Sequence, residues 1–166
     1  MPNTPARERF STGDLVAFDF PFCDGGAKTR VCLIVAEDTD LNEVVVAYGT
    51  TNLHLNLDRR HAVILNMQSD WSAAGLHRAT RFQVDRRIRV SMNDTRFKQN
   101  RSLGTAKVGR LLPSKVQQLM TCYSRLKPVS RVQERLGIHP KPQVHNGRRS
   151  FLGRRPVRHN AGSAAA

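Results

Sequence analysis

The 166-residue chain has few cysteines and no long apolar segment. Its three cysteines, Cys23, Cys32 and Cys122, cannot all pair with one another and form no CxxC motif, so neither a disulfide framework nor a zinc knuckle is indicated. The longest apolar run, residues 31–36, is far shorter than the roughly 20 residues that cross a bilayer. The first eleven residues lack the apolar stretch of a secretory signal. We therefore expect a protein of the reducing cytoplasm with no membrane partner.

Negative charge is also scarce. The chain has 13 Asp and Glu residues and 27 Lys and Arg residues, which gives a formal net charge of +14. Residues 125–166 hold ten of these basic residues and a single acid, Glu134. Such an excess favours a polyanionic partner such as RNA or DNA, although a solvated extension without any partner has the same composition. Four prolines with Gly, Ser and basic residues predict that residues 127–166 form a flexible basic tail after a folded domain of residues 1–126.

Short strands separated by polar turns dominate the predicted domain. Residues 15–20 alternate between apolar and polar, which is typical of a half-buried strand. Residues 31–36 are apolar without alternation, so we expect a central strand that is covered on both faces, and residues 43–48 predict a third strand. Weaker strand patterns occupy residues 61–65, 80–84 and 87–90.

Two helical segments are expected between and after these strands. A single turn is predicted for residues 69–75, with Ser69 as the N-cap and Gly75 as the left-handed stop. Pro113 predicts the start of a longer helix. Its apolar stripe comprises Val116, Leu119, Met120, Tyr123 and Leu126. Together these elements predict a mainly β (α+β) fold, a small, strongly bent antiparallel β-barrel with a C-terminal helix packed on it.

Polar residues that could bind a phosphate lie where two of the strands end. Arg30 immediately precedes the central strand, and Thr50, Thr51 and Asn52 close the next one. A guanidinium can hold two phosphoryl oxygens, and neighbouring hydroxyls can stabilise the charge that develops there. RNA carries its own nucleophile, the 2′-hydroxyl, so such a site needs no metal. Alternatively, Arg30 pairs with a nearby carboxylate such as Asp19, and the Thr-Thr-Asn sequence is ordinary turn chemistry.

Other candidate sites are weaker. His54 and His61 have no third ligand at the spacing of a metal site, so no metal is predicted. A run of arginines could flank a phosphate track or could simply form the solvent face of a strand. This run comprises Arg78, Arg81, Arg86, Arg87 and Arg89.

Three motifs follow one another in order along the chain: GDLVAFDFPF at residues 13–22, DGGAKTRVCLIV at residues 24–35, and VVAYGTTN at residues 45–52. With the elements that follow, they resemble the MazF/PemK family of toxins from bacterial type II toxin-antitoxin modules. The resemblance covers roughly residues 12–126. Val31 stands where that family usually has a proline, which removes the fixed φ next to Arg30.

The resemblance implies an SH3-like barrel, a homodimer, and a metal-independent, mRNA-interferase-like endoribonuclease that cleaves single-stranded RNA without a cofactor. It also implies inhibition of growth unless a cognate antitoxin protein neutralises the toxin, and a bacterial, plasmid or bacteriophage origin. Arg30 and Thr50 match the catalytic pair of the family. The side chains expected to contact RNA are Asp19, Lys28, Thr51, Asn52, Arg81, Arg86 and Arg87.

Two other functions fit the same pattern. The CcdB-type toxins share the fold and poison DNA gyrase, but they end in a tryptophan-bearing C-terminus, whereas the single tryptophan here is Trp71. A non-catalytic, basic nucleic-acid-binding module is the second alternative, and its binding would weaken steeply with salt.

Overall fold

The computed structural model describes residues 8–22 and 24–138. Six antiparallel strands form one strongly bent sheet, a half-barrel, in the order β4-β5-β3-β2-β1-β6. The strands are β1 (Asp14–Pro21), β2 (Ala27–Asp38), β3 (Glu43–Thr50), β4 (Ala62–Leu65), β5 (Thr80–Ser91) and β6 (Lys107–Arg110). The helices are α1 (Gln68–Ala73), α2 (Pro113–Ser124) and α3 (Arg131–Leu136), and a 3-10 turn spans Arg59–His61. The mainly β architecture with a helix after the barrel is confirmed.

Strand β2 lies in the middle of the sheet and is covered on both faces, as its unbroken apolar sequence predicts. Leu33 and Val35 belong to one hydrophobic cluster, which also contains Leu119 of α2. Cys32 and Ile34 belong to a second cluster on the opposite face, which is rich in phenylalanine. Each fully buried side chain of this kind stabilises the fold by about 1.5–3 kcal/mol.

Asp14 anchors the first strand at the barrel edge. Its carboxylate is buried and accepts a hydrogen bond from the backbone N–H of Ser11 (2.8 Å). It also pairs with Lys107 Nζ (3.0 Å) and Arg110 Nη1 (2.6 Å). Burial alone would raise the pKa of Asp14, but the Ser11 N–H and the two cations outweigh it and hold this pKa below its ordinary value.

The segments predicted as two strands, residues 80–84 and 87–90, form the single strand β5. Its pairing with β3 jumps from Ala47 opposite Arg87 to Tyr48 opposite Gln83, which leaves residues 84–86 as a bulge. The polar residues Asp85 and Arg86 therefore mark an irregularity within one strand and not a break between two.

The two predicted helices are present, with local differences. Helix α2 begins at Pro113 as expected, but Met120 is 51% exposed, and Cys122 is buried instead. Helix α1 begins at Gln68 after Met67, which gives no side-chain cap, so Ser69 is not the N-cap.

The chain between Lys127 and Ile138 carries helix α3, which lies within the segment predicted as a flexible tail. Helix α3 begins with a capping box in which Ser130 and Gln133 bond to each other's backbone N–H groups. The side chain of Glu134 is buried, where Arg87 Nε (2.9 Å) and Arg89 Nη2 (2.8 Å) bind its two oxygens. The single acid of this basic segment thus attaches α3 to β5. The rest of the predicted tail, residues 139–166, lies outside the described residues.

Candidate active site

An open cavity of about 320 Å³ lies where β2 begins and β3 ends, beside the loop that leads into β5. Arg30 of β2 and Thr50 of β3 both line it. Its other polar lining residues are Thr29, Thr51, His77, Arg78 and Thr80. The pair singled out from the sequence is therefore brought to one cavity by two neighbouring strands.

The close approach of two backbones brings Arg30 and Thr50 to this cavity. The register of β2 with β3 runs from Asp38 opposite Glu43 to Leu33 opposite Ala47. Further along, a Cβ on Gly49 would lie only 1.8 Å from the carbonyl oxygen of Val31, so the two backbones touch there. Only glycine allows this contact. The residues next to it, Arg30 before Val31 and Thr50 after Gly49, consequently face the same space.

The Arg30 guanidinium is held by aromatic rings and not by a carboxylate. Its Cζ lies 5.4 Å from the ring centroid of Phe22 and 5.2 Å from that of Tyr48. Its Nε is buried without a hydrogen-bond partner among the described residues. Cation–π contacts can hold a guanidinium in place without neutralising its charge. Arg30 thus lines the cavity and carries a positive charge that no acidic side chain of the described residues offsets.

Asp19 does not pair with Arg30, contrary to the alternative drawn from the sequence. Asp19 lies opposite Thr29 in the β1–β2 ladder, whereas Arg30 lies opposite Phe18, so the two charges project from opposite faces of the sheet. The Asp19 carboxylate accepts a hydrogen bond from the Thr29 hydroxyl and pairs with Lys98 Nζ at 2.9 Å. These two interactions, that of Thr29 first, lower the pKa of Asp19.

Thr50 is almost buried and takes part in a tight turn at the end of β3. Its hydroxyl oxygen accepts a hydrogen bond from the backbone N–H of Asn52 (3.1 Å), and Asn52 Oδ1 accepts one from the N–H of His54 (3.0 Å). The expected turn chemistry is therefore present, and it fixes the position of Thr50. Its hydroxyl proton can still be donated to a bound oxygen, since the turn uses the hydroxyl oxygen only as an acceptor.

A second guanidinium, that of Arg86, lies on the same aromatic cluster as Arg30. Its Cζ is 4.0 Å from the ring centroid of Tyr48 and 5.6 Å from that of Phe22. Phe22 and Tyr48 thus each contact two guanidinium groups.

Two of the arginines expected to contact RNA are buried inside the fold. Arg81 is 1% exposed and donates to the carbonyl oxygens of Leu55 (3.0 Å) and Leu57 (2.7 Å) and to Gln83 Oε1 (3.1 Å). Arg87 is 4% exposed and is paired with Glu134. Both guanidinium groups therefore bind other groups of the fold, and their contact with RNA stays a prediction. The sequence pattern did not separate them from Arg86 because the bulge of β5 changes which side chains face outward.

The other expected contacts lie at or near the rim of the cavity. Thr51 lines it and is exposed, whereas Lys28 and Asn52 are exposed nearby on the chain but do not line it. Thr29 and His77 line the cavity but were not predicted as site residues. Thr29 could have been predicted as a site residue because it directly precedes Arg30 in the sequence. Nothing in the local sequence indicated that the loop carrying His77 would reach β2.

Other kinds of site are not supported within the described part of the chain. No three His, Cys, Asp or Glu side chains there are grouped as metal ligands. Burial raises the pKa of Cys32 to about 12, so this thiol is not a nucleophile near neutral pH. None of the described helices combines the length and the apolar character that crossing a bilayer requires.

Comparisons with known proteins give a distant likeness in shape. No protein-family model matches the chain, and no curated protein gives a significant match. Among solved structures, Mycobacterium tuberculosis toxin MazF-mt6 aligns over 67% of this chain and 92% of its own, with 18% identity and a TM-score of 0.47. A second structure, described as an Mtb toxin, aligns over 66% of this chain and 96% of its own, with 17% identity and a TM-score of 0.45.

Proposed function

We propose that this protein is a toxin-type endoribonuclease that cleaves single-stranded RNA without a metal ion. The observation that carries the proposal is the cavity lined by both Arg30 and Thr50. Arg30 has no carboxylate partner in the described part of the chain, and Thr50 retains a hydroxyl proton for donation. A fixed positive charge beside a fixed hydroxyl is what the attacked phosphate of RNA requires.

The reaction is an internal displacement at phosphorus. The ribose 2′-oxygen attacks the adjacent phosphate, the bond from phosphorus to O5′ breaks, and the products carry a 2′,3′-cyclic phosphate and a 5′-hydroxyl. Arg30 binds the non-bridging oxygens, whose negative charge grows in the transition state. Thr50 donates its hydroxyl proton to one of them. Each such preorganised donor contributes on the order of 2.7–4 kcal/mol to lowering the barrier.

RNA on either side of the cleaved bond would follow the exposed polar groups around the cavity. Arg78 and Thr51 line the cavity itself, and Arg86 lies on the aromatic cluster beside Arg30. Lys28 and Asn52 are exposed further out. We propose that these groups bind phosphates and sugars, while Asp19 contributes by holding Thr29 and Lys98.

The test is cleavage of a labelled single-stranded RNA by the purified protein in the presence of a chelator. Wild-type protein should produce discrete fragments with 2′,3′-cyclic phosphate ends, and DNA of the same sequence should stay intact because it lacks the 2′-hydroxyl. Arg30→Ala and Thr50→Val should each slow cleavage by about 100-fold or more. Arg125→Ala, at an exposed position that does not line the cavity, is the matched control and should cleave normally.

Two results would contradict the proposal. Fragments that persist in Arg30→Ala would show that the cavity is not the active site or that a contaminating nuclease is present. RNA that stays intact with the wild-type protein but binds it, with an affinity that falls steeply with salt, would indicate the non-catalytic module instead.

We also propose that the protein acts as a homodimer and is neutralised by a cognate antitoxin. The net charge of +14 favours a partner with an acidic segment, because opposite charges steer association and stabilise the complex. The molar mass in solution and the loss of RNA cleavage on adding the product of a neighbouring gene would test these two points.

A further inference from the structure

Cleavage of RNA by its own 2′-hydroxyl requires proton transfer that Arg30 and Thr50 are poorly suited to perform. The 2′-hydroxyl must lose its proton as it attacks, and the departing O5′ must gain one. Arginine stays charged at any working pH, so Arg30 cannot accept a proton. The hydroxyl of Thr50 is a weak base, and its oxygen already accepts the N–H of Asn52. A third group is needed.

His77 lies in the same cavity. Of the described residues that line it, His77 is the single one of a type that exchanges protons near neutral pH, since the remaining polar ones are arginines and threonines. His77 is exposed, and it has no hydrogen-bond or ion-pair partner within the described part of the chain. Its ring nitrogens are therefore available to a bound substrate.

The loop that carries His77 is fixed against β6, so its place in the cavity is defined by the fold. Gly75 has φ +83°, and a Cβ there would lie 2.9 Å from the carbonyl oxygen of Val108. A Cβ on Gly109 would lie 1.9 Å from the carbonyl oxygen of Ala74. Leu76 is buried, and its N–H donates to the carbonyl oxygen of Trp71 at 2.9 Å. Two close backbone contacts and one buried side chain thus hold the residue next to His77.

The charged residues that share a cavity with His77 are arginines and lysines, and the two lysines are paired with Asp19 and Asp14. Arg30 and Arg78 line the first cavity with His77. A second cavity, of about 420 Å³, shares His77 with the first and is lined by Lys98 and Lys107. No carboxylate lines either cavity within the described part of the chain, so no acidic side chain there competes with a substrate hydroxyl for the ring nitrogens of His77.

We propose that His77 is the general base of the cleavage reaction, an inference that rests on the proposed function. Its unprotonated ring nitrogen takes the proton of the 2′-hydroxyl as the bond from O2′ to phosphorus forms and the bond from phosphorus to O5′ breaks. O5′ takes a proton from water to become the 5′-hydroxyl, and His77 then releases its proton to solvent. The step needs no oxidant, reductant or other co-reactant.

The experiment measures initial cleavage rates between about pH 5 and pH 9 for the wild-type protein, His77→Gln and Arg30→Ala. The wild-type rate should rise about tenfold per pH unit on the acid side and then level off. His77→Gln should lose this rise and fall by about 100-fold or more on the plateau. His54→Gln is the matched control, because this exposed histidine does not line the cavity, and it should keep the wild-type profile.

Two further measurements separate proton transfer from a positioning role. Binding of an RNA that carries a 2′-deoxy sugar at the cleaved position should be unchanged within about twofold in His77→Gln, because the base acts in the reaction and not in binding. Added imidazole should restore part of the activity of His77→Ala, and more so as the pH rises and imidazole becomes neutral.

The possible outcomes distinguish this inference from the proposed function. If His77→Gln keeps the rate and the pH profile of the wild type while Arg30→Ala is inactive, His77 is not the base and the proposed function stands. A rate that falls with rising pH, and that loses this fall in His77→Gln, would also overturn the base role. If Arg30→Ala cleaves like the wild type, or if the wild type does not cleave RNA, the proposed function itself fails.

Discussion

Replacing Gly49 by alanine tests whether the contact between β2 and β3 determines the spacing of Arg30 and Thr50. The new Cβ would lie 1.8 Å from the carbonyl oxygen of Val31 and 3.0 Å from Phe82 Cε1. Side-chain Cβ atoms essentially never approach another heavy atom within 3.0 Å, and the atom in the way is backbone. The two strands must therefore separate by roughly 1.2 Å or more at this point.

The displacement should affect activity more than stability. Overpacking of this kind costs about 1–3 kcal/mol of unfolding free energy, which a domain of ordinary stability can tolerate. A misplacement of about 1 Å between catalytic groups lowers rates by about 100-fold. We expect Gly49→Ala to stay folded in urea denaturation while its initial rate on labelled single-stranded RNA falls by about that factor.

Gly26→Ala is the matched control for this prediction. Its φ is not in the left-handed region, and its Cβ would meet only the flexible side-chain end of Asp24, at 3.2 Å. Gly26 does not line the cavity, so this variant should cleave RNA at the wild-type rate. If Gly49→Ala were folded and cleaved within about threefold of the wild type, the strand contact would not control the site and the reasoning would be refuted.

Two further predictions concern stability. Glu134→Gln should lower the unfolding free energy by about 3–5 kcal/mol, because it leaves the buried Arg87 guanidinium without a carboxylate. Urea denaturation measures this free energy. Leu136 is 80% exposed, so the control variant Leu136→Ala should change the unfolding free energy by less than about 0.5 kcal/mol. Folding lowers the pKa of Asp14 below its ordinary value of 3.8. The ionised Asp14 therefore contributes its full stability when the pH is above 3.8, and this contribution is lost as the pH falls through the pKa of Asp14 in the folded state. Asp14→Asn should therefore flatten the fall of the urea midpoint below about pH 4, and an unchanged acid profile would contradict this.

Strands β1 to β5 were predictable because each carries a local signal of alternating or unbroken apolar residues, whereas β6 was not predicted. The unbroken apolar run of β2 indicated cover on both faces, and both hydrophobic clusters provide it. The start of α2 followed from Pro113, whose fixed φ suits the first turn of a helix. Local signals of this kind need no knowledge of the tertiary structure.

Features that depend on distant residues were not predictable in the same way. Helix α3 looked like part of a tail because its composition is basic, yet Glu134 finds two arginines on β5, some 45 residues earlier in the chain. Arg81 looked like a surface cation, but three acceptors, two of them from the loop after β3, enclose its guanidinium. His77 reaches the cavity only because glycines at two positions let its loop touch β6.

The orientation of Arg30 does not depend on a proline at the next position. A proline there would fix one backbone angle. Here Val31 is fixed by its neighbours instead: it lies opposite Ala17 in the β1–β2 ladder, and its carbonyl oxygen rests against Gly49. The side chain of Arg30 is then held by the faces of Phe22 and Tyr48. Two neighbouring strands thus constrain the backbone at Val31, and two aromatic rings constrain the guanidinium of Arg30. These contacts can preorganise the charge of Arg30 without a proline, because preorganisation requires only that other positions of the guanidinium be excluded.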